Sequence, residues 1–139
     1  MSQTTFQVED VVAVAGFRTA LRRFLRRSER VARQYGLTPQ RYLLLLMIKG
    51  APDGTQQSTV TELADRLQLA QSTVTELVRR AEEIGLVTRA QSQDDARVAH
   101  LRLTPEGDRR LMQSFTEIAT ERGQLRDAFA QADDTLSDI

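Results

Sequence analysis

The chain contains no cysteine, which removes disulfides, thiol redox sensing and cysteine nucleophiles at once. Its single histidine leaves a transition-metal site poorly supplied. Net charge is zero, so the total does not advertise a polyanionic partner. No apolar run approaches the roughly 20 residues of a bilayer-spanning helix. The N-terminus shows neither a basic leader nor the apolar stretch of a signal peptide, so a cytoplasmic protein with no membrane association is expected. Catalytic signatures are missing as well: there is no G-x-x-x-x-G-K-[ST] phosphate loop, and serines such as Ser72 have no histidine nearby in sequence. An enzyme is not expected, nor a cofactor or a metal.

What is present is strongly polarised. Residues 1–35 carry seven arginines against Glu9, Asp10 and Glu29, whereas residues 105–139 carry eight acids against four arginines. The middle of the chain balances. Oppositely charged ends invite pairing with each other, within one chain or between two copies. A length of 139 residues suits one domain with one continuous core.

Helix ends are legible throughout. Val14, Phe17, Leu21, Phe24 and Val31 recur at helical spacing up to Tyr35-Gly36, where a glycine can take the left-handed cap, so a first helix is predicted over roughly 8–34. Thr38-Pro39 opens a second, apolar helix through Tyr42 to Ile48, stopped by Gly50. "GAPDGTQQS" reads as a loop, and Thr59-Val60-Thr61-Glu62 is a capping box for a short helix ending near Leu67. After a tight "LQLA" connection, Val74, Leu77, Val78, Ala81 and Ile84 form one apolar stripe that Gly85 ends. Two short helices so joined make a helix-turn-helix. The period then changes to two: Ala99, Leu101 and Leu103 share one face against Val98, His100 and Arg102, and with "LVTRA" this predicts a β hairpin. Thr104-Pro105 launches a long final helix, whose residues 111, 115, 118, 122, 125 and 129 follow the rhythm of a helix that packs on another helix.

Two surfaces carry candidate chemistry. On the second helix of the pair, Gln71, Ser72, Thr73, Thr75, Glu76 and Arg79 offer short polar groups near an N-terminus and an arginine further on, a set that can reach base edges and phosphates. Any solvated helix face has a similar composition. At the hairpin tip, Asp95 stands two residues before Arg97 and can hold the guanidinium in a fixed fork, leaving Arg97 to enter a narrow minor groove. An exposed ion pair worth roughly 0–1 kcal/mol would look the same. Together, a helix-turn-helix followed directly by such a hairpin describes a winged helix.

"LTPQRYLLLL", "TVTELADRLQLAQSTVTELVRRAEEIGLVTR" and "DDARVAHLRLTPEG" resemble the MarR family of bacterial transcriptional regulators, with Asp95 and Arg97 matching its D-x-R marker. The resemblance implies a mainly α fold with a small β hairpin: a winged helix-turn-helix lobe over 37–104, and dimerisation helices over 1–36 and 105–139 of a single 139-residue domain. It further implies a homodimer on a palindromic operator of double-stranded DNA, acting most often as a repressor relieved by a small aromatic or anionic effector. The effector cleft would lie between the dimer helices and the DNA-binding lobe, with Tyr42 or Arg41 at its border, but no ligand-binding residue is assigned. Three positions depart from the family's usual wording: Ala96 stands where an arginine is common, Glu76 where a basic residue is common, and Ala70 where a serine is common. The alternative is a winged-helix protein–protein interaction module without DNA affinity, for which Glu76 and the neutral middle segment are the best arguments.

The arginine ladder 22, 23, 26, 27 and 30 is expected to pair with the acidic C-terminal segment of a second copy. His100 is expected on the surface.

Overall fold

The computed structural model describes residues 5–91 and 97–136. In chain order its elements are α1 (Val8–Gln34), α2 (Pro39–Lys49), α3 (Val60–Leu67), α4 (Gln71–Glu83), β1 (Val87–Gln91), β2 (Ala99–Leu103), α5 (Pro105–Glu117) and α6 (Ala119–Leu136). The chain is thus mainly α with one small antiparallel hairpin. No described helix is long and apolar enough to cross a membrane. Two compact units form, Ala32–Ser114 and Met1–Val31 with Phe115–Ile139.

In the first unit the glycine stops act as their positions require. Gly36 and Gly85 both adopt φ 76°, a conformation that costs a side chain heavily, and each lets the following amide bond back across the last turn. Leu37 N donates to Ala32 O and Leu86 N to Ala81 O, both at 2.9 Å. Thr38 caps α2 by accepting from Arg41 N at 3.2 Å, and Pro39 occupies the first turn, where a missing N–H costs nothing.

Leu44, Leu45 and Ile48 of α2, Leu63 of α3, Val74, Val78 and Ala81 of α4, and Leu86 and Leu101 of the hairpin region are fully buried together. Each large aliphatic side chain so buried contributes about 1.5–3 kcal/mol, which makes this cluster the main support of the α3–α4 pair.

The hairpin pairs Val87 with Leu103 through Gln91 with Ala99. Its inner strand has a second neighbour that the loop reading of "GAPDGTQQS" did not foresee. Ser58 N donates to Leu101 O at 3.1 Å, and Leu101 N to Ser58 O at 2.8 Å. Arg66 secures this contact from below: its guanidinium reaches Met47 O at 3.1 Å and also the Ser58 hydroxyl.

The helix after the hairpin begins at a crowded point. Thr104 Oγ1 accepts from Gly107 N at 3.1 Å and donates to Gly85 O at 2.6 Å. A Cβ on Gly107 would stand 2.1 Å from Leu86 O, so only glycine allows this approach.

In the second unit, Phe17 of α1 meets Phe129 of α6 edge-on with ring centroids 5.7 Å apart. Arg27 Nε lies 3.3 Å from Glu121 Oε1. Apolar side chains remain exposed on the same helices, with Val8, Val11, Val12 and Phe129 all more than half accessible.

The rhythm of the C-terminal region predicts one continuous helix, and here the structure differs: α5 ends at Glu117, Ile118 is a turn residue, and α6 starts at Ala119. The reason lies in a side chain. Arg122 stacks over the Phe115 ring at 3.8 Å and donates to Phe115 O at 2.6 Å, supplying a partner for a carbonyl that the helical ladder would otherwise use.

Candidate nucleic-acid interface

The helix-turn-helix is positioned by local chemistry as well as by its core. Thr59 Oγ1 accepts from Glu62 N at 3.2 Å and Glu62 Oε1 accepts from Thr59 N at 3.1 Å, completing the capping box read from sequence. Gln68 then takes a left-handed conformation at φ 55°, and Leu69 N donates to Ala64 O at 3.1 Å, turning the chain between α3 and α4 in three residues. At the head of α4, Ala70 has no side chain to cap the first turn. Its amides are therefore open to an external acceptor, and the positive end of the helix dipole favours an anionic one.

α4 buries Val74, Val78 and Ala81 and turns Gln71, Ser72, Thr73, Thr75 and Arg79 to solvent, with Glu76 part-exposed beside them. The predicted apolar stripe overreaches at its end. α4 stops at Glu83, Ile84 becomes the C-cap at φ −97°, and its side chain is 47% exposed.

The outer face is an ionic network. Arg79 grips Glu76 with two nitrogens, Nε to Oε2 at 2.9 Å and Nη2 to Oε1 at 2.5 Å. Arg80 Nε reaches Glu76 Oε1 at 3.0 Å, and the remaining arm of Arg79 reaches Glu83. The guanidinium of Arg79, then that of Arg80, holds the Glu76 carboxyl down to about 2, and Glu76 in return raises Arg79. Two arginines therefore face water already matched to carboxylates. Arg80 was not among the candidate residues, although its spacing of four from Glu76 is the ordinary signal for such a pair.

On the wing, Arg97 is exposed in the turn leading to β2. Asp95 and Ala96 lie outside the described residues. Arg89 at the base of the hairpin pairs with Glu82 of α4 at 2.9 Å, tying helix and wing together.

Among the described residues, no group of three or more His, Cys, Asp or Glu is placed to hold a metal ion. Grooves open among the described residues of the second unit, two of them beside aromatic side chains. One, of about 650 Å³, is lined chiefly by small and apolar residues including Val12, Gly16, Phe17 and Ala132. The other, of about 550 Å³, is bordered by Arg23, Arg27, Arg30 and Glu121 beside Phe24 and Leu125.

Comparison with known proteins bears on what such an arrangement is. A family model described as the MarR family matches residues 35–98. YsmB of Bacillus subtilis (strain 168), an uncharacterised HTH-type transcriptional regulator, is 33% identical over 104 residues, 74% of this chain; the chain spans 66% of that relative's length. Among solved structures, a MarR family protein from Bacillus stearothermophilus superposes with a TM-score of 0.71 at 24% identity, covering 88% of this chain and 81% of that one. A mutant of MepR from S. aureus, bound to an oligodeoxyribonucleotide, gives 0.65 at 19% identity over 88% of this chain and 84% of its own. With the winged helix-turn-helix and its flanking helices on one side and these matches on the other, the chain belongs to the MarR family.

Proposed function

We propose that the protein is a sequence-specific DNA-binding transcriptional regulator that works as a homodimer on a palindromic operator, as a repressor relieved by a small molecule. In this reading α4 enters the major groove, and Gln71, Ser72, Thr73, Thr75, Glu76 and Arg79 supply its contacts. The hairpin tip brings Arg97, oriented by Asp95, to the adjacent minor groove.

The observation that carries the reading is the outer face of α4: uncapped amides at its head, short hydroxyl and amide side chains on the first turns, and arginines behind them. A MepR mutant bound to an oligodeoxyribonucleotide has a similar fold, which supports the same use of this one. The exposed valines and Phe129 on α1 and α6 suit a second copy of the chain. Grooves of this size suit a small effector, and the Arg23, Arg27, Arg30 groove beside Phe24 suits one that is aromatic or anionic.

One observation favours the other reading, a protein–protein module without DNA affinity. α4 carries Glu76, Glu82 and Glu83 against Arg79 and Arg80, an acidic balance on an element meant for a polyanion.

Titration of a labelled duplex from upstream of the protein's own gene, against a scrambled duplex of equal length and across salt concentration, separates the two. Tighter binding to the upstream duplex with a steep salt slope on both is expected of the regulator. No binding to either at low salt would support the protein–protein module. In the same assay Arg97→Ala is expected to weaken specific binding by about 1–3 kcal/mol and leave the dimer intact. An unchanged affinity would remove Arg97 from the mechanism.

A further inference from the structure

A carboxylate in the middle of a DNA-facing helix is an electrostatic cost unless it does something there that a neutral side chain would not. Glu76 is positioned for such a task. It lies on the outward face of α4, one helical turn beyond Ser72 and adjacent to Thr75, with nearly half of its side chain accessible. Its two oxygens are not equivalent. Oε1 accepts from Arg79 Nη2 and Arg80 Nε, whereas Oε2 accepts from Arg79 Nε alone among the described residues. One acceptor position is therefore open on a carboxylate that two guanidiniums already hold still.

We propose that Glu76 is a specificity-determining residue that reads a cytosine in the major groove, its Oε2 accepting from the exocyclic amino group. This rests on the reading of α4 as the major-groove element. The chemistry selects the base by elimination. An ionised carboxylate only accepts, so it needs a donor and is repelled by acceptors. Guanine presents two acceptors in the major groove, thymine an acceptor and a methyl group, and adenine a donor beside an acceptor; cytosine presents the amino donor alone. The carboxylate stays ionised throughout the neutral range because the Arg79 and Arg80 guanidiniums hold it low.

The same arginines solve two further problems. They offset the charge of the carboxylate, so that it approaches a polyanion as part of a near-neutral cluster. They also fix its rotamer before DNA arrives, so that little side-chain freedom is lost on binding. Arg79 and Arg80 additionally carry the donors that guanine O6 and N7 accept. The Glu76–Arg79–Arg80 cluster is thus matched to a C·G pair and its neighbour as a unit, not to phosphates.

Selection of tight binders from a random duplex library by the full-length chain, run in parallel for the wild type and Glu76→Gln, tests this. The wild type is expected to enrich a cytosine at one position in each half-site, and replacing that C·G pair by A·T or T·A should weaken binding at least about fivefold. Glu76→Gln, which can pair with adenine, should lose that preference or move it to adenine and leave all other positions unchanged. Thermal unfolding of the variant should remain cooperative and fall only slightly below the wild type, since the side chain contributes to no core and its ion pairs are exposed. An identical consensus from both proteins, or an affinity change uniform across sequences, would overturn the assignment of Glu76 while leaving DNA binding in place. Failure of the wild type to enrich any sequence would remove the DNA-binding reading itself, and the assignment with it.

Discussion

The pattern Glu-x-x-Arg-Arg occurs twice in this chain, at residues 76–80 in α4 and 106–110 in α5, and the two copies fold almost alike. Arg109 grips Glu106 through Nε to Oε2 at 3.1 Å and Nη2 to Oε1 at 2.6 Å, and Arg110 Nε adds a contact at 2.7 Å. Both carboxyls are held down to about 2, by the first arginine and then the second. The surroundings differ. Arg110 extends to Gly36 O at 3.3 Å, and its side chain is 30% exposed, whereas Arg80 has no second partner among the described residues and is 60% exposed. The third arm of Arg109 meets the neutral Gln113, but that of Arg79 meets a second carboxylate, Glu83. Local geometry is therefore a poor guide to role. The α5 copy is woven into the lobe, and the α4 copy is held ready at its surface.

The two copies differ most at the second position of the pattern, Gly107 in α5 and Leu77 in α4. Gly107→Ala would drive a methyl group into the Leu86 carbonyl, to which Thr104 N also bonds at 3.0 Å. Urea unfolding should show a loss of about 3 kcal/mol, the upper end of what overpacking costs. A variant as stable as the wild type would mean that α5 enters the lobe at a different angle. Next in size is the contrast between the last arginines. Arg110→Ala removes the donor from the Gly36 carbonyl and should cost about 1 kcal/mol. Arg80→Ala should leave unfolding unchanged, since exposed pairs seldom contribute measurably, and should instead alter DNA binding. Equal losses from both would mean that the α4 copy is as much a part of the lobe's support as the α5 copy.

Much of the fold was legible because it is written in local chemistry. Gly36 and Gly85, Thr38-Pro39, the Thr59–Glu62 box and Thr104-Pro105 each satisfy backbone groups within a few residues of themselves, and each stands where the sequence puts it. What escaped depends on partners far along the chain or on side chains competing with the ladder. The Ser58–Leu101 bridge, braced by Arg66, joins residues that no periodicity connects. The break at Ile118 follows from Arg122 reaching the Phe115 carbonyl, although the apolar rhythm runs straight through it. Within the chain, the ladder of arginines on α1 makes one ionic contact among the described residues, Arg27 with Glu121, nearly a hundred positions further on. Of the candidate interface, the sequence identified the polar face of α4 but not the network within it, because a list of exposed residues does not say which of them hold one another.

The smallest effect concerns acid, and it asks whether the two clusters are as alike energetically as they are in shape. In the unfolded chain Glu76 and Glu106 titrate near the ordinary value of 4.5, and in the folded chain near 2. Below 4.5 the unfolded state therefore takes up protons that the folded state does not, and stability falls as the pH drops toward 2; above 4.5 both states are ionised and the contribution is constant. Both groups are open to solvent, so screening makes the slope shallow. Urea midpoints measured between pH 5 and pH 2.5 should decline less in Glu76→Gln and in Glu106→Gln than in the wild type, and by similar amounts, with the curves merging again at the acid end. Added salt should shrink both differences together. If only Glu106→Gln flattened the decline, the α4 cluster would be an arrangement that the free protein does not maintain in solution, and the fixed carboxylate that the proposed base reading requires would have to be assembled by the DNA itself.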